Sequence, residues 1–320
     1  MPKYFLTNKT AIIVLVVLCS VLQLFITSQG IGMPSTSVEW SILLDIRLPR
    51  LILGLVSGFI LALSGSVFQT VFNNPLADSF SLGLASGASF GSAVAVVLGL
   101  SFSMIAVSSI VFSLLTLVLV MVLTHQLFQR HEKTGMVLFG MFINFFFSSA
   151  LYGLVLLNSD KSRSLLGYLF GSVGAVEWHD IVIVMPVLII GTGVILSNAR
   201  AVSILRAGDT TAASLGIHTT SLIYSVLTAA SVMTAVTISM TGIIGFVGLI
   251  IPQLCAHMND RFPIKLLWTG ITGSLAVIFS DFLGNLLLSP VQIPVSVVLA
   301  FLGLPLLLVI TIRTVRQSLS

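Results

Sequence analysis

Ten apolar stretches, each close to the length of a membrane crossing, follow one another along the chain with few charges between them. A helix needs about 20 such residues to cross the hydrocarbon core, where only helices and closed barrels satisfy their own backbones. The stretches lie near residues 10–27, 49–70, 82–100, 103–124, 136–157, 180–197, 220–240, 242–258, 265–285 and 292–312. They predict an all-α, polytopic membrane protein forming one domain over residues 1–320. Charged residues make up 8% of the chain, against roughly 25% in a soluble domain. The weakest division falls at Thr241 and Gly242, where two spans meet with almost no loop.

An even number of spans places both ends on one side, and the cations say which. Lys3, Lys9, Arg130, Lys133, Arg200, Arg206, Arg261, Lys265, Arg313 and Arg316 share one face, while Arg47, Arg50, Lys161 and Arg163 take the other. Positive charge collects in the cytoplasm, so both termini are expected there. Lys3 and Lys9 before an apolar run resemble a secretory signal, but no A-x-A site follows, and an uncleaved first span is expected. No basic run of the nucleic-acid type occurs. Cys19 and Cys255 lie inside apolar segments, too few and too far apart for a metal cluster or a disulfide framework.

One of the longest departures from this apolar character is residues 198–220, NARAVSILRAGDTTAASLGIHTT, on the cytoplasmic side of the sixth and seventh spans. Asp209 can cap a helix of about six residues that Gly216 can end. Nucleation makes so short a helix unstable alone in water. It is either an ordinary connection or a docking element.

Other stretches carry alternatives as well. Arg47-Leu48-Pro49-Arg50 opens the second span, with two cations placed against both the helix dipole and the positive-inside trend. They contact lipid headgroups, pair with Asp45, or receive an acidic partner. Asn144, Ser148 and Tyr152 recur at i, i+4 and i+8 on a Phe-rich fifth span, a polar stripe that faces water or bonds a neighbouring helix. Asp281, near the outer end of the ninth span, is a functional candidate or a hydrogen-bonding residue. The 164–180 segment is apolar and Gly-broken, and reads as a re-entrant or surface-lying helix. Gly83, Gly87 and Gly91, and likewise Gly54, Gly58 and Ala62, form ridges that let helices approach closely. No P-loop is present, nor H-E-x-x-H, G-x-S-x-G or a paired-Cys motif, and the histidines make no ligand set. No enzymatic activity, cofactor or bound metal is expected.

Several linked motifs, in order, resemble the FecCD-type permease subunits of bacterial ABC importers for ferric siderophores, haem and cobalamin. They are RLPR at 47–50, SGSVFQTVFNNPLAD at 64–78, LGLASGASFG at 82–91, GDTTAASLGI at 208–217, GFVGLIIPQLCAHM at 245–258, and DFLGN with QIPVS within 281–296. The resemblance implies a ten-helix subunit of the type II importer fold, paired with a second permease subunit in a homo- or heterodimer. Two ABC ATPase subunits and an extracytoplasmic substrate-binding protein complete the assembly. Residues 201–219 would then couple to the ATPase, through Arg206, Gly208, Asp209, Thr210, Ala213, Leu215 and Gly216. Arg47 and Arg50 would receive acidic groups of the binding protein, and Asn144, Ser148 and Tyr152 would border the path. Members often carry Arg where this chain has Asn285, and Glu where it has Asp209. The function implied is passage of an iron complex, driven by a partner's ATP hydrolysis. The alternative is an ion-coupled secondary transporter using Asp281, which would call for broken helices and charged residues near the bilayer midplane, scarce in this sequence.

Overall fold

A computed structural model describes residues 9–27, 30–128, 132–161, 171, 176–256, 258, 260–287 and 292–319. Its centre is a single long helix, α2 (Ser37–Phe72), with 78% of its apolar window buried by other parts of the chain. At about 1.5 Å per residue its 36 residues reach roughly 54 Å, well beyond a hydrocarbon core of about 30 Å. The excess lies at its start, where Thr36 and Glu39 form a capping box. Pro49 then lacks an N–H and would clash with the carbonyl four residues back. The helix meets this with a π-helical stretch at Ile42–Arg47, where the Leu48 N–H reaches Leu43.

The other helices pack against α2 or against its neighbours. They are α1 (Lys9–Phe25), α3 (Leu84–Val97), α4 (Phe102–Leu127), α5 (Glu132–Leu157), α6 (Trp178–Leu205), the short α7 (Asp209–Ser214), α8 (Thr219–Thr241), α9 (Val247–Cys255), α10 (Phe262–Leu287) and α11 (Val295–Leu319). A two-residue antiparallel ladder, Ile26–Thr27 with Gly30–Ile31, follows α1. The most extensive packing is α2 on α10, and α6, α8 and α9 also lie against α2. Gly58 and Gly273 make the α2–α10 approach possible, since a Cβ on either would overlap the other's carbonyl oxygen. Ser274 Oγ donates to the Leu55 carbonyl at 2.6 Å across the same crossing. Without a hydrophobic drive between helices in lipid, close van der Waals contact of this kind holds them together.

All but one of the expected spans appear as helices, though α2 starts at Ser37 rather than near residue 49 and α6 runs on to Leu205 rather than ending near residue 197. The exception is the eighth, where only the nine residues of α9 are helical. Residues 242–246 are not, and Phe246 takes a positive φ of 71°. Gly248 sits against Gly65, about 10 Å along α2 from its end at Phe72, so α9 occupies only the part of the bundle nearest that end. Non-helical backbone at such depth needs protein around it. Gly171 and Phe80 supply part of that cover, lying against Ile243 and Gly245. The expected ridge in α3 is also shorter by one residue, because Gly83 precedes the helix at φ 71° while Gly87 and Gly91 face α4.

Charge pairs show which ends of the helices lie together. Lys9 pairs with Asp260 at 2.6 Å, and Arg206 lies near enough to Lys265 to feel its charge. Arg50, Gln23 and Asp281 meet at the opposite end. Lys3, Arg130, His131, Arg163, His257 and most of the expected re-entrant segment at 164–180 lie outside the described residues.

Candidate functional site

The connection from α6 to α8 is built by glycine at both ends. After Leu205 the chain leaves α6 through Ala207 and Gly208, whose N–H groups reach back to Ile204 and Leu205. Gly208 has φ 110° and ψ 152°, a conformation a side chain opposes, and it occupies the N-cap. Asp209 is therefore the first helical residue and not the cap expected from sequence. Its carboxylate reaches Lys133, the second residue of α5, at 2.6 Å. At the other end Gly216 (φ 78°) closes a Schellman motif, with Ile217 N–H to Ala212 at 3.1 Å and Gly216 N–H to Ala213 at 3.0 Å.

This unit meets the bundle through Ala212, which is fully buried. Arg206, Asp209, Thr210, Ala213, Leu215 and Gly216 are exposed on one corner, with Gly208 half-buried behind them. Beside them runs an open groove of about 730 Å³, lined by Ala213, Ile217, His218, Thr219, Thr220, Ser221 and Tyr224. An exposed Leu215 and a six-residue helix that packs by one alanine make a surface with little reason to persist unpartnered.

At the opposite end of the bundle the two arginines of RLPR are both engaged within the chain. Arg50 grips Asp281 side-on, through Nε at 2.9 Å and Nη2 at 2.7 Å. Asp281 is 2% exposed and also accepts from Gln23 at 2.5 Å and Gln292 at 3.3 Å. Asn285 accepts from Arg50 at 3.3 Å and donates to the Asp281 carbonyl at 3.0 Å. Arg47 donates to the Leu24 carbonyl at 2.7 Å. The cluster ties the ends of α1 and α10 to α2. Asp281 thus serves as an acceptor for four side-chain donor groups, and Arg50 turns to it rather than to Asp45.

The polar stripe of α5 lies on the least covered span, with 11% of its apolar window buried. Asn144 is half-buried, while Ser148 and Tyr152 are exposed, as are Phe142 and Phe146 on the neighbouring face. In the lone subunit, exposure does not separate the stripe from its flanks. Sequence reasoning missed a second opening, a mainly apolar cavity of about 510 Å³ between residues 243–249, Asp78, Phe80 and the first turns of α11. The non-helical G-I-I-G-F run is the signal that could have found it. Asp78 lies in the connection between α2 and α3, where its Oδ1 accepts from Phe80 and Ser81 N–H at 3.0 and 3.1 Å. Burial raises its carboxyl to about 6, against those two hydrogen bonds. Among the described residues no three His, Cys, Asp or Glu side chains gather as a metal site.

The FecCD transport family model matches residues 10–313. The cobalamin import system permease of Halobacterium salinarum is 31% identical over 281 residues, covering 87% of this chain and 74% of that one. The Fe(3+)-citrate import system permease of Bacillus subtilis is 28% identical over 276 residues, covering 85% and 81%. A solved structure of a transporter assigned to the metal-chelate ABC type, in an inward-facing conformation, superposes with a TM-score of 0.87 at 27% identity, over 98% of this chain and all of that one.

Proposed function

Since the chain belongs to the FecCD transport family and is a membrane-embedded permease subunit of an ABC importer, we propose that it conducts an iron complex, a ferric siderophore or haem, into a bacterial cytoplasm. Permeases of this kind are not enzymes, and ATP hydrolysis resides in a partner. The observation that carries coupling to a partner ATPase is the α7 unit, a six-residue helix capped by glycine at both ends and exposed beside an open groove, and the likeness to an Fe(3+)-citrate permease supports the iron complex.

In this reading residues 201–219 seat on one of two ATPase subunits, a second permease copy or homologue completes the path, and both termini are cytoplasmic. The permease bundle has two arrangements, and docking biases the balance between them. The opposite end receives an extracytoplasmic binding protein. Arg47, held by one carbonyl hydrogen bond, is better placed to meet that protein's acids than Arg50, whose fork is filled by Asp281. Asn144, Ser148 and Tyr152 border the path.

Two measurements test the proposal. A single cysteine at Ala213, in a Cys19→Ala, Cys255→Ala background, is expected to cross-link to the co-expressed ATPase. No cross-link from Ala213 or Thr210 would remove the docking reading. Mass and metal analysis of the cargo held by the co-purified binding protein decides the substrate. Iron is the expected metal, and cobalt in a corrinoid would replace the iron complex with cobalamin.

A further inference from the structure

Resting on that reading, we propose that Lys133 is a positioning residue for transport, a strut through which the docked α7 sets the position of α5. Three observations converge on it. The first is placement: Lys133 is a cation in the first turn of α5, where the helix dipole disfavours positive charge, so a carboxylate beside it offsets an unfavourable position. That partner is Asp209, at 2.6 Å, itself in the first turn of α7. One carboxylate therefore lies near the starts of two helices and neutralises the cation between them.

The second observation is cover: 11% of the apolar window of α5 is buried within this chain, against 78% for α2, the lowest share among the six long apolar spans, so the subunit's own packing covers α5 least. The third is exposure. The Asp209 side chain is 50% exposed and that of Lys133 is 24% exposed, on the corner that carries Thr210, Ala213 and Leu215. In water such a pair biases an equilibrium by no more than about five-fold. A partner seated on α7 would exclude water from it, and the same two charges then attract more strongly, because the effective dielectric falls. Docking itself therefore stiffens the strut. The ATPase would pull on α7, and α5 would follow where it otherwise would be free to lag.

The test uses the full complex of this chain with its co-expressed ATPase in proteoliposomes. Ser148→Cys in the cysteine-free background reports α5 through its reactivity with a membrane-impermeant thiol reagent, with and without ATP. In otherwise unaltered protein, ATP is expected to change that reactivity. Lys133→Ala and Lys133→Glu should reduce the change by about two- to five-fold or more and lower uptake per ATP hydrolysed, while Lys133→Arg retains both. Should Lys133→Ala fail to assemble, Lys133→Gln, which keeps most of the stem, carries the same comparison. Gly216→Val, which distorts the end of α7, is the reference. If it keeps normal coupling, the docking reading of residues 201–219 fails. If it abolishes coupling while Lys133→Ala and Lys133→Gln leave the ATP-dependent change intact, the strut is overturned and the docking reading stands.

Discussion

Replacing Asp281 by alanine tests the lock at the outer end of the bundle. Its carboxylate is 2% exposed and accepts both nitrogens of the Arg50 fork, at 2.9 and 2.7 Å, together with the Gln23 amide at 2.5 Å. Without it, an Arg50 side chain that is only 17% exposed keeps its charge and loses its counter-ion. Removing one member of a buried pair costs about 3–5 kcal/mol. The amide left without its acceptor adds about 1 kcal/mol. Removing both charges, as in Arg50→Met with Asp281→Leu, leaves no charge stranded and only the Gln23 and Gln292 amides short of an acceptor, and exchanges of that kind are often close to neutral in the charge pair. The assay can use the protein's own thiols, because Cys19 and Cys255 are free and buried. Cys19 packs with Leu51 and Ile278, close to the lock, whereas Cys255 lies at the other end of the bundle. In detergent, a thiol-reactive fluorophore should label Asp281→Ala at a clearly lower temperature than the unaltered protein, with Cys19 reacting before Cys255. The double variant should recover most of the difference. If Asp281→Ala labels like the unaltered protein, or the double variant is as weak as the single one, the pair does not hold these helix ends and Arg50 is free to dock a partner.

Gly58→Val should prevent the α2–α10 crossing and deplete the folded subunit, since even a Cβ there overlaps the Gly273 carbonyl; Gly153→Ala, on α5 with nothing within 4 Å, is the control and should express normally. Cysteines at Asn144, Ser148 and Tyr152 should react with an impermeant thiol reagent in the assembled complex and respond to ATP, while those at Phe142 and Phe146, about 100° or more around the helix, should not; equal labelling of both sets would make the stripe packing glue. Asp78→Asn should stabilise the protein above pH 6. A carboxyl held at about 6, against 3.8 in the unfolded chain, keeps its proton longer in the native state, so native stability rises as pH falls from about 6 towards 3.8. At higher pH the charged form costs roughly 3 kcal/mol. The amide oxygen can accept the same two N–H groups, so melting curves of Asp78→Asn should lose that slope; an unchanged slope would assign it to another group.

Most of the helical architecture was legible because lipid leaves the backbone little choice. A run of apolar residues must become a helix, and glycines spaced four apart must face a neighbour, as Gly58 does. Residues 242–246 escaped this logic. Their composition is as apolar as any span, and only burial by protein, through Gly171 and Phe80, allows their backbone to stay irregular. The six-residue helix and its glycine end were readable from local rules, yet Gly208 displaced Asp209 from the cap. The sequence points to Asp209 as the cap because it does not show which φ the chain must adopt to leave α6, and that φ places glycine there. The arginines of RLPR show the same limit from the electrostatic side. Asp45 is the carboxylate nearest to them in sequence, whereas Asp281, 231 residues from Arg50, is the one that reaches the guanidinium. Partners so distant in sequence carry no spacing signal.

The close crossing of α2 and α10 also governs how the protein is made. Ser274 and the Leu55 carbonyl are 219 residues apart. At about 5–20 residues per second, a ribosome spends roughly 10–45 s between making one and the other. For that interval the second helix to enter the membrane waits with its narrow glycine notch open to lipid or to an insertion factor. A nascent chain stopped before α10 is therefore a half-finished bundle with its central member unclasped, the kind of substrate that membrane proteases recognise. Early-made helices in this protein owe their permanence to one of the last to be made.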